Sequence, residues 1–157
     1  MGDEMNREFA DQLLDFRSQR AGRIAEEWYN NVSANSRTTG YRAIPREACL
    51  RHAMAIYSNL AEMCFAEDSY KAVERVLDVE SFAEDHFARG IPLEEVLYAL
   101  TLLRRHLWFS AEREAASSDV AEYYHGMDSI NRVLLVFDYA AHIVARKYRE
   151  MAIKTHN

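Results

Sequence analysis

The chain has 157 residues, 49% of them apolar and 28% charged, with a formal net charge of −6. This is enough chain for one domain with its own core, and too apolar and too balanced for a disordered protein. Acids and bases alternate in runs such as "AEEWYNN" and "AEREAASSD", which excludes the basic stripe needed to neutralise the phosphates of a nucleic acid.

The opening "MGDEMNREFADQLLDF" carries acids where a secretory leader needs a basic region. Unbroken apolar runs stay as short as "VLLVF" at 133–137, against the roughly 20 residues of a membrane span, so a cytoplasmic protein is expected. The first helix is predicted over about 6 to 34, with Leu14, Ala21, Ile24, Ala25, Trp28 and Val32 on one face. It ends in the loop "NSRTTGYRA". Pro45, favoured at a helix start, opens a second helix to about Ala66. Cys49 and Cys64 both fall in it, about 20 Å apart at 1.5 Å per residue, so they cannot form a disulfide and are expected to be buried and reduced. A third helix spans about 69 to 89, with a break near Asp78, and stops at Gly90. Pro92 starts the fourth, to about Ala115, and "SSD" at 117–119 caps a fifth that runs to about Ala152. Without repeat or linker, the fold class is all-α: a single-domain bundle of about five helices with a long C-terminal helix.

Four polar side chains interrupt apolar faces. Arg104 lies between Leu97, Leu100 and Trp108, His52 among Cys49, Ile56 and Met63, His86 among Val79, Phe82 and Ala83, and Arg17 among Leu13, Leu14, Ala21 and Ile24. Buried charge requires a partner, and three readings are open. Each side chain can be satisfied by a carbonyl or a carboxylate, with Asp138 as a partner for Arg104, or can snorkel to solvent from a helix edge. Alternatively His86, Arg89 and Arg104 line a pocket for an anionic ligand. In the third reading His52 and His86, two neutral imidazoles on facing helices, hold a metal or haem.

Catalytic motifs are lacking: no Gly-x-Ser-x-Gly, no phosphate-binding glycine loop, no His-Glu-x-x-His. The single Glu122-x-x-His125 falls short of a di-iron bundle, which requires two such pairs plus two more inward glutamates. The Asp138/His142 pair, which could act as acid and base, reads better as a helix contact. No enzyme and no cofactor is expected.

The fifth helix repeats apolar residues at Tyr123, Met127, Ile130, Leu134, Phe137, Ala141, Val144, Tyr148 and Met151, a seam of about four heptads. A second stripe, Val133, Val136, Ala140 and Ile143, lies on another flank. Two readings are open: a central helix surrounded by its own bundle, or packing against a second subunit. Since a bundle of this size covers one stripe readily, Val136 and Ile143 are expected at the contact of a homodimer.

"FAEDHFARGIPLEEVLYALTLLRRHLW", residues 82–108, resembles the N-terminal domain of RsbT co-antagonist proteins of the RsbR/RsbRD type, which also serves as an input module of bacterial sensor histidine kinases. "AEEWYNNV", residues 25–32, is similar to that family's Trp-bearing first helix. The resemblance implies a helical sensory domain that dimerises and signals through its last helix to a kinase or STAS-type output partner. It supplies no ligand-binding residues. The competing class is a carrier of a small molecule, metal or haem.

Overall fold

The computed structural model describes residues 18–115 and 120–157, and within these the side chains of 21–110 and 131–157. Helix α1, Ser18–Ala34, buries Ala21, Ile24, Ala25, Trp28 and Val32, the three-and-four spacing of one helical face. Beyond its last turn the buried Thr38 donates its hydroxyl to the Val32 carbonyl at 2.6 Å, satisfying an end carbonyl that the helix leaves open. A 3-10 turn, Thr39–Ala43, then carries Tyr41 into the core. The Gly40 N–H donates to Glu95 at 2.9 Å, and a Cβ there would meet Glu95 and Ile91 at 3.1 Å, so a side chain would crowd this tie.

Pro45 precedes α2, Arg46–Ser58, and its carbonyl accepts from Ala48 and Cys49. The expected second helix is in fact two. Ser58 and Asn59 turn their side chains back onto the carbonyls of Met54 and Ala55, the local competition that loosens a helix at such residues. A short α3, Leu60–Phe65, follows. The Asp68 carboxylate caps α4, Ser69–Val79, by accepting from the Lys71 N–H at 3.0 Å. The expected break near Asp78 falls at Glu80 and Ser81, and Ser81 is left-handed at φ 48°.

Helix α5, Phe82–Ala88, ends as the sequence predicts. Gly90 takes φ 73°, its N–H bonds to Phe87 and the Ile91 N–H to His86, the paired closure of a Schellman turn. Next come α6, Leu93–Ala115, and α7, Val120–Thr155, a 36-residue rod about 54 Å long. The predicted cap at 117–119, the seam residues Tyr123, Met127 and Ile130, the Glu122/His125 pair, Arg17 and the first turns of the first helix lie outside the described residues or side chains.

No strand occurs among the described residues, and none of their helices is long and apolar enough to cross a membrane. Packing runs from α2 to α1, from α1 to α6, and from α6 to α7, which is covered on its other side by α3, α4 and α5. Two aromatic groups dock the first half on α6: Trp28 Nε1–H donates to the Ala99 carbonyl at 3.0 Å and the Tyr57 hydroxyl to the Leu103 carbonyl at 2.7 Å. Cys49 and Cys64 are buried and unpaired with each other.

The two stripes of α7 find partners within the chain. Val133, Val136, Ala140 and Ile143 join Phe137, Val144 and Tyr148 in one core. Val136 is 1% and Ile143 0% exposed, which corrects their expected place at a subunit contact. The reason is the number of covering helices: α6 takes one flank of α7 and the α3–α5 segment the other.

Candidate functional site: a buried imidazole pair

The spacing that buries Cys49, Ala53 and Ile56 on α2 also turns His52 inward, and the face of α5 that buries Phe82 and Ala83 includes His86. The imidazoles, 2% and 3% exposed, meet with ring centroids 5.3 Å apart. Phe82 packs on both, at 4.4 Å from His86 and 5.2 Å from His52. Tyr41 closes the cluster from the 3-10 turn, 5.5 Å from His86 and edge-on to Trp28 at 6.2 Å.

Hydrogen bonds fix the tautomers. His52 Nε2–H donates to the Asp85 carboxylate at 3.3 Å, so Nδ1 carries the lone pair, and this atom is buried without a partner. His86 Nδ1–H donates to the Phe82 carbonyl at 2.6 Å, leaving the lone pair on Nε2. Asp85 also receives Arg89 Nε–H at 3.1 Å, so a short chain runs from exposed Arg89 through Asp85 to His52. The Tyr41 hydroxyl is likewise buried and unpartnered.

Burial dominates the electrostatics. It pushes His86 down to about 4, and it lowers His52 against the pull of the Asp85 hydrogen bond. Burial works against the Asp85 carboxylate, but the bonds from Arg89 and His52 hold it below its ordinary value. The Cys49 thiol is pushed up to about 11 and Tyr41 well above its usual range, both by burial. Burial thus disfavours the thiolate form of Cys49 at neutral pH. The site's available chemistry is proton uptake by two neutral imidazoles.

Of the residues singled out from sequence, His52 and His86 come together and Arg89 joins them through Asp85. Arg104 does not: it stands part-buried in α6, outside the contacts that build the cluster, and makes no ion pair with the exposed Asp138. Among the described residues no three His, Cys, Asp or Glu side chains are placed to hold a metal. Sequence reasoning missed two members, Asp85 and Tyr41, and the neighbouring Tyr148 of α7. Asp85 was legible from its four-residue spacing to Arg89 on a helix. Tyr41, in a loop, and Tyr148, read only as seam, gave no such signal.

The cluster is wired to α7. Phe87, next to His86, stacks edge-on with Tyr148 at 5.3 Å, and the Tyr148 hydroxyl donates to the Ile91 carbonyl at 2.8 Å. Lys147 pairs with Asp78 and, at 3.2 Å, with Glu84, bridging the end of α4 and the start of α5. Comparison with protein-family models, curated proteins and solved structures finds no match to this chain.

Proposed function

We propose that the chain is a non-catalytic signal-input domain whose output leaves through α7 toward a kinase or STAS-type partner. The observation that carries this reading is the joint between α5 and α7: Phe87 against Tyr148, the Tyr148 hydroxyl on Ile91, and Lys147 on Glu84. A rod packed against α3, α4, α5 and α6 responds as one body when any of them moves, and side-chain joints of this kind have discrete arrangements. The resemblance of residues 82–108 to RsbR/RsbRD-type input domains points the same way. Pairing of two chains rests on that resemblance alone, since the stripe that suggested it is core. Light scattering at high micromolar concentration tests it, and a monomer removes it.

The output reading is tested by joining α7 in helical register to the catalytic core of a histidine kinase and measuring autophosphorylation. Phe87→Ala and Tyr148→Phe, which loosen the joint while sparing the rest of the core, should change the rate several-fold. Equal rates in wild type and both variants, with helicity intact, would end it.

A further inference from the structure

We infer that the contact of His52 on α2 with His86 on α5 is an acid-operated latch: protonation of the pair releases α5 from α2 and, through Phe87 and Tyr148, slackens the end of α7. The inference deepens the signal-input reading and rests on it for the output step; it names the stimulus as a fall in pH.

Helix α5 is built to detach. It has seven residues, begins after left-handed Ser81, whose side chain makes no cap bond, and ends at left-handed Gly90. Two such residues concentrate the backbone change of an opening at its ends. Three buried side chains, Phe82, Ala83 and His86, hold it down, while Glu84, Ala88 and Arg89 are already exposed. His86 sits at the centre of that grip.

Among the described residues no carboxylate is bonded to His86 Nε2, where an arriving proton would sit. The ring is bounded by Phe82, His52 and Tyr41, and the neighbouring Asp85 carboxylate is turned to His52 and Arg89. Burial is the largest opposition to a cation there, and repulsion by a proton on His52 and by Arg89 adds to it, outweighing the bond to the Phe82 carbonyl and the through-space pull of Asp85. Lifting α5 places the ring in water, so the open form takes the proton more readily.

The groups facing the pair leave the histidines as the titrating members in this range. Tyr41 on the 3-10 turn and Cys49 on α2, with Tyr148 of α7 beside Tyr41, are raised still further above this range by burial and stay neutral. On α5, Asp85 stays ionised and Arg89 charged in their shared pair. Arg51 on α2 and Glu80 before α5 lie 3.7 Å apart and pair with each other. With His86 moving from about 4 when closed to the ordinary 6.5 when open, the opening equilibrium rises about 25-fold between pH 7.5 and pH 5.0 from this residue alone.

Native-state amide exchange on the whole chain, expressed as protection factors to remove the intrinsic pH dependence, tests the latch. Residues 82–91 should lose protection about 25-fold from pH 7.5 to 5.0. Their exchange should be unaffected by 1 M urea, because a local opening exposes little surface, whereas residues 24–32 of α1 should respond to urea. His86→Leu should abolish most of the pH effect; if that chain does not fold, His86→Gln makes the same test. Protection of 82–91 that is equal at the two pH values, or that shares the urea response of α1, overturns the latch and leaves the domain to another stimulus. Loss of protection in 82–91 with residues 145–155 unchanged upholds the latch and overturns the output reading. Loss in both segments supports the two together.

Discussion

Tyr41 and Tyr57 are both almost fully buried, yet their hydroxyls differ in a way that stability measurements can read. Tyr57 donates to the Leu103 carbonyl, whereas the Tyr41 hydroxyl has no partner. Tyr57→Phe should therefore cost about 1 kcal/mol, and Tyr41→Phe should be neutral or stabilising by up to about 1 kcal/mol, because it removes a desolvated donor. Urea unfolding at pH 7.5 checks the pair, and a larger loss for Tyr41→Phe than for Tyr57→Phe would contradict the assignment. His86 adds a pH signature to the global transition. Its closed-state value lies below its unfolded one, so its stabilising contribution is complete above about 6.5 and is lost as pH falls toward about 4. Between pH 7.5 and 5.0 that loss amounts to about 2 kcal/mol, and His86→Leu should remove it from the difference between the two urea curves. The inward direction of both histidines was readable from their apolar neighbours at helical spacing. Their mutual contact was not, because a helical wheel gives the direction of a side chain and says nothing of which helix faces it. Arg104 was placed among leucines by the same wheel and is part-buried, but the expected partner Asp138 does not pair with it, again because the wheel does not say which residues of another helix come near.

At the scale of elements, α5 is defined by its two left-handed ends, and they should respond oppositely to substitution. Ser81 at φ 48° carries a Cβ in a region that costs L-residues about 1 kcal/mol, so Ser81→Gly should stabilise by up to about that amount, less the added freedom of the unfolded chain. Gly90 has open space where a Cβ would go, so Gly90→Ala should cost about 1 kcal/mol through backbone conformation alone. Thermal unfolding of the two variants measures both signs, and two shifts of the same sign would refute the account. Gly90 was identified from sequence because glycine before "IP" leaves few alternatives to a helix stop. The division at Asn59 was hidden. The apolar pattern continues through it from Ile56 to Met63, and the interruption comes from Ser58 and Asn59 bonding to backbone carbonyls, a choice that periodicity does not record.

For the whole molecule the telling feature is the covering of α7. Two apolar stripes were legible and admitted either a central helix or a subunit contact; the choice of the contact failed because it assumed that a chain this size leaves one stripe open. Splitting the middle of the chain into three short helices lets α3, α4 and α5 wrap a rod that one straight helix would touch along a single line. Val136 and Ile143 thereby become the centre of the core, and the exposed apolar residues of the rod's described side chains are Leu135 and Ile153. The prediction follows from placement rather than from residue type. Val136→Glu with Ile143→Lys introduces two charges with no water and no built partner, and each such burial costs several kcal/mol, comparable with the whole stability of a domain. The double variant should lose its helical circular dichroism at 25 °C, whereas Leu135→Glu, on the same helix and one residue away, should keep it with a change within about 0.5 kcal/mol. A folded double variant whose only change is its mass in light scattering would return these residues to a subunit interface and remove α7 from the centre of the fold.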